Sequence, residues 1–156
     1  MTTSSSRAMR AEFGVRLSRV GLAWRQRIDC EFKHHGDLTA SKWRPLYTLG
    51  RLGDGVRQKD LAHALLIEGP SLVRLLDDLE AHGLIERRED ATDRRAKTIH
   101  LTECGWATYA GLKEISREFA ARALAGISDD EFRICISVLD RIEAQIHAPQ
   151  AAEAVE

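Results

Sequence analysis

The stretch that most constrains the fold runs from Arg57 to Thr102: RQKDLAHALLIEGPSLVRLLDDLEAHGLIERREDATDRRAKTIHLT. Leucines and alanines at helical spacing within 61–65 and 72–79 predict two short helices that share an apolar core. Between them, Gly69 is expected to permit an unusual backbone turn, and Pro70 suits the first turn of a new helix. Two helices joined by such a short turn form a helix-turn-helix.

A two-stranded hairpin is predicted directly after the second helix. Gly83 stands where a C-terminal glycine ends a helix. Residues 84–89 and 96–102 are candidate strands, and Ile99 and Leu101 alternate with polar neighbours in the second. The order of elements predicts a winged helix-turn-helix, within a fold that is mainly α with a small β-hairpin wing.

The second helix carries candidate base-reading residues at its N-terminal end. Pro70, Ser71 and Arg74 lie off its apolar face, and recognition helices touch base edges with that end. Arg74 can fork onto a guanine, and Ser71 can donate to a base or a phosphate. An exposed helix surface would hold the same residue types, so the hairpin decides between the two interpretations.

The tip of the hairpin is Asp93-Arg94-Arg95, and Lys97 stands two residues further along the chain. A slim arm tipped with arginine fits the minor groove, where arginine exploits the negative potential of narrow A·T-rich stretches. Asp93 is expected to hydrogen-bond an arginine and to fix the wing tip. We therefore predict DNA contacts from both the helix and the wing.

The runs IEGPSLVRLLDDLEAHGLIERRE and DRRAKTIHLTECG resemble the MarR family of bacterial transcription regulators, most closely its SlyA-type branch. With WRQRID, LTASKW and ALAGISDDE, the resemblance extends over roughly residues 10 to 147. It implies a homodimeric repressor or activator that binds double-stranded DNA at a pseudo-palindrome. By motif, Pro70, Ser71 and Arg74 would face the major groove, and Arg94 and Arg95 would serve the wing.

Charge is unevenly distributed along this chain of net charge −1. Residues 1–51 hold ten basic side chains against four acidic ones, residues 57–102 hold eight against nine, and residues 103–156 hold five against ten. The whole chain thus lacks the basic excess typical of nucleic-acid binding. Positive charge for DNA must be local, and the basic and acidic ends are expected to lie side by side.

The remaining sequence predicts helices for dimerisation. A helix over about residues 7–35 carries an apolar stripe from Phe13 to Phe32, and a second begins at Thr39 with Pro45 several residues inside it. Thr102 and Ser128 are expected to cap the last two helices. We assign 1–38 and 103–148 to a helical dimerisation region, 39–102 to the DNA-binding lobe and 149–156 to a disordered tail.

A ligand site is suggested by the resemblance, because relatives often bind small aromatic acids or phenols. Trp24, Trp43 and Arg44 would line such a site with Thr39 near its mouth, since aromatic walls plus one cation suit an aromatic carboxylate. A redox sensor using Cys30 is an alternative, although a reactive thiol needs a lowered pKa and access. Cys30 and His34, four residues apart, offer a further alternative in a metal sensor.

Other classes of protein are weighed against this one. No phosphate-binding loop, GxSxG or HExxH motif occurs, so neither an enzyme nor a cofactor is expected. No stretch reaches the ~20 apolar residues of a membrane span and no signal-peptide core opens the chain, so we expect a cytoplasmic protein, nucleoid-associated when bound to DNA. A winged module that binds protein partners instead of DNA remains the main rival.

Overall fold

The computed structural model describes residues 3–36, 39–90, 92–93 and 96–148. Within them the chain forms a mainly helical fold with a small antiparallel sheet, as the sequence predicts. The elements are α1 (Thr3–Gly36), α2 (Ala40–Leu52), β1 (Val56–Arg57), α3 (Gln58–Leu65), α4 (Gly69–Ala81), β2 (Ile85–Glu89), β3 (Lys97–Leu101), α5 (Glu103–Ala123) and α6 (Asp129–His147).

The helix-turn-helix is α3 and α4, and its turn differs from the expectation in one respect. Leu66, not a glycine, takes the left-handed conformation after α3, with φ of 55°. Gly69 is instead the first residue of α4, and Pro70 follows it inside the first turn. The prediction that Gly69 supplies the unusual backbone was therefore wrong. The physical reason for the difference is that the chain reverses direction immediately after α3, at Leu66, three residues before Gly69.

The sheet has three strands in the order β1-β3-β2, all antiparallel. The hairpin strands β2 and β3 pair Ile85 with Leu101 and Glu89 with Lys97. The two-residue strand β1 pairs Val56 with Ile99 on the other edge of β3. The wing is therefore joined through β3 to the strand that leads into α3.

Contacts divide the chain into two units, Met1–Phe119 and Ala120–Glu156. The core of the first unit is built around leucines of α2, α3 and α4 that are fully buried: Leu46, Leu49, Leu61, Leu72, Leu76 and Leu79. Burying a leucine side chain is worth about 1.5–3 kcal/mol, so these residues fix α4 firmly against its neighbours.

Helix α1 is only partly buried in the first unit. Ile28 and Phe32 belong to the core, but Phe13, Leu17 and Val20 of the same predicted stripe are exposed. Helix α2 continues through Pro45, whose ring is buried. The C-terminal end of α1 thus packs on the core, whereas its N-terminal part presents apolar side chains to solvent.

The second unit contains α6, which begins with the predicted capping box. The Ser128 amide donates to Glu131 Oε2 at 2.9 Å, and the Glu131 amide donates to Ser128 Oγ at 3.4 Å. No residue of α6 is buried, and Ile134 and Ile146 are 66% and 71% exposed. No helix in the described part of the chain is long and apolar enough to cross a membrane.

Candidate nucleic-acid interface

The N-terminal half of α4 presents the residues that the sequence predicted to read DNA. Because Leu72, Leu76 and Leu79 turn inward, Pro70, Ser71 and Arg74 are exposed. Arg74 has no hydrogen-bond or ion-pair partner among the described residues. Its guanidinium is therefore available to a ligand outside the protein.

Arg87 on β2 holds α4 relative to the wing. Its guanidinium pairs with Asp77, and its Nε lies 3.5 Å from Glu80 Oε2. The Arg87 amide also donates to Glu80 Oε1 at 3.2 Å. One side chain, 20% exposed, thereby connects the solvent-side carboxylates of α4 to the base of the hairpin.

The predicted wing residues are only partly within the described chain. Arg94 and Arg95 lie outside the described residues. Asp93 is exposed, its amide donates to Asp90 Oδ1 at 3.0 Å, and its carbonyl accepts from the Ala96 amide at 2.9 Å. Lys97 is exposed, with Nζ 3.6 Å from Glu89 Oε1. Hydrogen bonds of its backbone thus tie Asp93 to Asp90 on one side and to Ala96 on the other.

The carboxylate of Asp90 organises the N-terminal side of the wing loop. Its Oδ1 accepts from the Thr92 hydroxyl at 2.6 Å, the Thr92 amide at 2.8 Å and the Asp93 amide. Its Oδ2 accepts from Arg57 Nε at 2.7 Å, and Arg57 Nη2 donates to Thr92 Oγ1 at 2.9 Å. We call Arg57, Asp90 and Thr92 the wing latch.

The pKa values of the latch residues follow from these bonds. The Thr92 hydroxyl, the Arg57 guanidinium and backbone amides hold the pKa of Asp90 well below its usual range. The hydrogen bond and charge of Asp90 raise the pKa of Arg57. Both groups are therefore ionised at neutral pH, and the latch is a charge-assisted contact.

Sequence reasoning did not find the wing latch. Arg57 precedes α3, Asp90 follows β2, and no spacing rule links residues that far apart in the chain. One signal was present: Arg57 stands at the N-cap of α3 and makes no side-chain cap, although Ser, Thr, Asp or Asn is preferred there. The atypical N-cap residue marks the position in the sequence, but it does not identify Asp90 as the partner.

Internal ion pairs account for many of the acidic residues in the near-neutral lobe. Glu86 pairs with Arg88, Asp78 lies 3.8 Å from Lys42 Nζ, and Asp90, Asp77, Glu80 and Glu89 are paired as described above. Each ion pair neutralises its cation together with its carboxylate, so the positive charge that this segment can offer to DNA comes from cations outside these pairs, and Arg74 is one of them.

Three of the four predicted ligand residues surround one cavity of about 270 Å³. We call it the aromatic cavity, and its walls include Trp24, Trp43 and Arg44; the other lining residues are Gly21, Arg25, Ile28, Phe32, Tyr47 and Ser116. Thr39 does not line it: its Oγ1 lies 2.8 Å from Ser41 Oγ.

The aromatic walls of this cavity are held by specific contacts. Phe32 and Trp43 have ring centroids 4.6 Å apart, and Trp43 Nε1 donates to Asp29 Oδ1 at 2.8 Å. The Tyr47 hydroxyl donates to Ser116 Oγ at 3.3 Å. With its indole nitrogen already paired, Trp43 offers an apolar ring face to an occupant.

The other sensing alternatives differ in their geometric support, because a redox sensor needs an accessible thiol whereas a metal sensor needs several converging ligands. Cys30 is exposed. Across the described ranges, no three His, Cys, Asp or Glu side chains converge as metal ligands would. His34 and Cys30 thus have no third ligand among the residues placed.

The second helix of this helix-turn-helix carries an arginine that has no partner among the described residues, and the wing is latched to the residue before the first helix. This arrangement is that of a DNA-binding protein. A model of the MarR family matches residues 36–96. The transcriptional regulator PA3341 has 39% sequence identity, with 86% of this chain and 97% of that chain covered and a TM-score of 0.79. The chain belongs to the MarR family of transcription regulators, and the expectation that it is not an enzyme is confirmed.

Two further solved structures carry information about ligands. The S. aureus MepR–DNA complex has 26% identity, covers 86% of this chain and 96% of that chain, and has a TM-score of 0.72. CouR from Rhodococcus jostii RHA1, bound to p-coumaroyl-CoA, has 26% identity, with 88% of this chain and 93% of that chain covered and a TM-score of 0.74. These proteins bind DNA in one case and an aromatic acyl thioester in the other.

Proposed function

We propose that this regulator is a homodimer of the SlyA-type branch that represses or activates transcription from a pseudo-palindromic operator. Arg74 carries the proposal, because it is an exposed arginine without a partner among the described residues, on a helix fixed by buried leucines. Together with Ser71 it would read the major groove. Arg94, Arg95 and Lys97 would enter the minor groove.

Dimerisation is supported by apolar surface that neither unit buries. In the second unit, Ile134, Ile136, Val138 and Ile146 of α6 are exposed; in the first, α1 exposes Met9, Phe13, Val15, Leu17, Val20 and Leu22. Exposed apolar surface on this scale is typical of protein interfaces. A second copy is the proposed occupant, since a symmetric dimer brings two recognition helices about 34 Å apart, one DNA turn.

Effector control is proposed through the aromatic cavity. Trp24 and Trp43 offer ring faces, and Arg44 offers a cation for the carboxylate of an aromatic or phenolic acid. The CouR complex shows that a family member accommodates an aromatic acyl group. Occupancy would act by changing the distance between the two recognition helices, so that both cannot dock together.

The decisive experiment selects binding sites from random duplex DNA with wild type and with Arg94→Ala/Arg95→Ala in parallel. We expect an inverted repeat with half-sites about ten base pairs apart, strongly weakened in the variant. Affinity should also fall steeply with salt, with a slope of about −0.9 per phosphate neutralised.

Absence of any enriched sequence, repeated with aromatic carboxylates present, would contradict the proposal. It would favour the rival interpretation, a winged module that binds protein partners. An enriched inverted repeat that the variant still binds equally well would support a dimeric regulator but remove the role given to the wing arginines.

A further inference from the structure

A second cavity, of about 200 Å³, lies between α2 and the helix-turn-helix. We call it the turn cavity. It is lined by Ala40, Ser41, Arg44 and Pro45 of α2, by Leu65 and Ile67 around the end of α3, and by Leu75 of α4. Apart from Ser41 and Arg44 its walls are aliphatic, whereas the aromatic cavity is lined by four aromatic rings.

Arg44 is the lining residue that the two cavities share. It is half-buried, and it has no hydrogen-bond or ion-pair partner among the residues that the structure describes. A half-buried cation without a partner is poorly solvated, so an anion that reaches it gains a charge-assisted hydrogen bond at little further desolvation cost.

We propose that the turn cavity is a second ligand site, for a compact aliphatic monocarboxylate. The carboxylate would pair with Arg44, and the Ser41 hydroxyl, at the rim, would be a further donor. The branched hydrocarbon would contact Pro45, Leu65 and Leu75. The small volume and the aliphatic walls favour a short branched chain over the planar ring expected in the aromatic cavity.

The position of the turn cavity couples it to DNA recognition. Ile67 belongs to the segment between α3 and α4, and Leu75 lies on α4 one position beyond Arg74. A ligand there touches the recognition helix itself. It also draws on the same Arg44 as a ligand of the aromatic cavity, so the two ligands should weaken each other's binding reciprocally. This coupling and the benzoate control described below rest on the proposed function; occupancy of the turn cavity does not.

The test uses 4-methylpentanoate with the full-length protein, followed by calorimetry and by methyl NMR spectra of Leu65, Ile67 and Leu75. We expect one site per chain and shifts of the methyl resonances of these three residues. The wild type should bind uncharged 4-methylpentanamide at least about tenfold more weakly than the acid, a loss of about 1.4 kcal/mol. The Arg44→Gln variant should bind the acid more weakly than the wild type by the same factor.

Two cavity-filling variants provide matched controls. Ala40→Leu fills the turn cavity and should abolish 4-methylpentanoate binding while leaving benzoate binding intact. Gly21→Leu narrows the aromatic cavity, at a position where an added Cβ meets nothing within 4 Å. It should abolish benzoate binding while leaving 4-methylpentanoate binding intact. Thermal unfolding of both variants checks that they fold.

The results separate the two proposals. Two results would overturn the turn-cavity site, irrespective of how Ala40→Leu binds the acid. One is that the methyl resonances of the wild type do not shift when 4-methylpentanoate is added. The other is that the amide binds as tightly as the acid. Acid binding that persists in protein showing no DNA selectivity would support the site and leave only the regulatory proposal refuted.

Discussion

Arg57 Nε donates to Asp90 Oδ2 at 2.7 Å, which fixes the residue before α3 to the first residue after β2. The same guanidinium reaches Thr92 in the wing loop. Since α3 packs against α4, the latch connects the recognition helix and the wing through protein contacts. The proposed contacts of α4 with the major groove and of the wing with the minor groove require these two elements to keep a fixed relative position, and the latch supplies part of it.

Loss of the latch should therefore impair the wing more than the recognition helix. We expect Arg57→Gln to weaken operator binding about tenfold, equivalent to about 1.4 kcal/mol. Protection of the minor groove in hydroxyl-radical footprints should decrease at the flanks and persist at the central half-site bases. Lys59→Gln removes the same charge at an exposed position two residues away, outside the latch. It should change neither the operator affinity nor the footprint. Uniform loss of protection over the whole site would argue for a general folding defect instead.

Acid should release the latch late in a titration. Because the folded-state pKa of Asp90 is depressed, its contribution to stability is fully present above the unfolded value of about 3.9. It is lost only as the pH falls from there through the lowered folded-state pKa. The difference in unfolding free energy between wild type and Asp90→Asn should therefore stay constant from pH 5 to 8, as measured by urea denaturation. A difference that declines already between pH 8 and 6 would contradict this assignment.

Arg74 should carry base specificity. Arg74→Ala is expected to cost about 1–3 kcal/mol of operator affinity and to relax preference at one base pair of each half-site. Competition binding with single-base operator variants measures this. Lys113→Ala, which removes an exposed charge on α5, is the matched control and should leave the preference unchanged. Equal weakening of all sequences by Arg74→Ala would reassign the residue to phosphate contact.

Two glycines on α5 should respond oppositely to alanine. A Cβ on Gly105 would lie 2.0 Å from the Leu84 carbonyl oxygen, a backbone atom that also accepts from the Thr102 amide. Gly105→Ala should thus destabilise the fold strongly, by about 1–3 kcal/mol or more. Gly111 has nothing within 4 Å of an added Cβ, so Gly111→Ala should stabilise the helix by about 0.5–1 kcal/mol. Thermal unfolding distinguishes them, and similar shifts for both would refute the close approach at Gly105.

The dimer proposal predicts dissociation when charge enters α6. Ile134→Glu/Val138→Glu alters two exposed apolar residues four positions apart, which lie on one helix face. We expect sedimentation equilibrium to show a dimer for the wild type and a monomer for the variant. Circular dichroism should show that the variant keeps its helix content. Leu52→Glu, at a half-exposed leucine of α2, is the control and should remain dimeric. A dimeric double variant would place the interface elsewhere.

Local sequence rules predicted most of the elements. Helical spacing of leucines located α3 and α4, Gly83 ended α4 with φ of 66°, and Ser128 began α6 with its capping box. These features depend on residues within a few positions of one another, which is the range over which periodicity and capping act. The same local pattern led to the prediction that Arg74 and Ser71 are exposed, and both are.

The sequence alone determined the order of elements, the apolar face of each helix and the residue types at the recognition helix and wing. Tertiary structure decided which distant side chains meet: Arg57 with Asp90, Arg87 with Asp77 and Glu80, and Arg44 with two cavities. It also moved the left-handed residue of the turn to Leu66. The physical reason is that periodicity reports solvent exposure along one segment, whereas ion pairs and cavities form only once several segments pack.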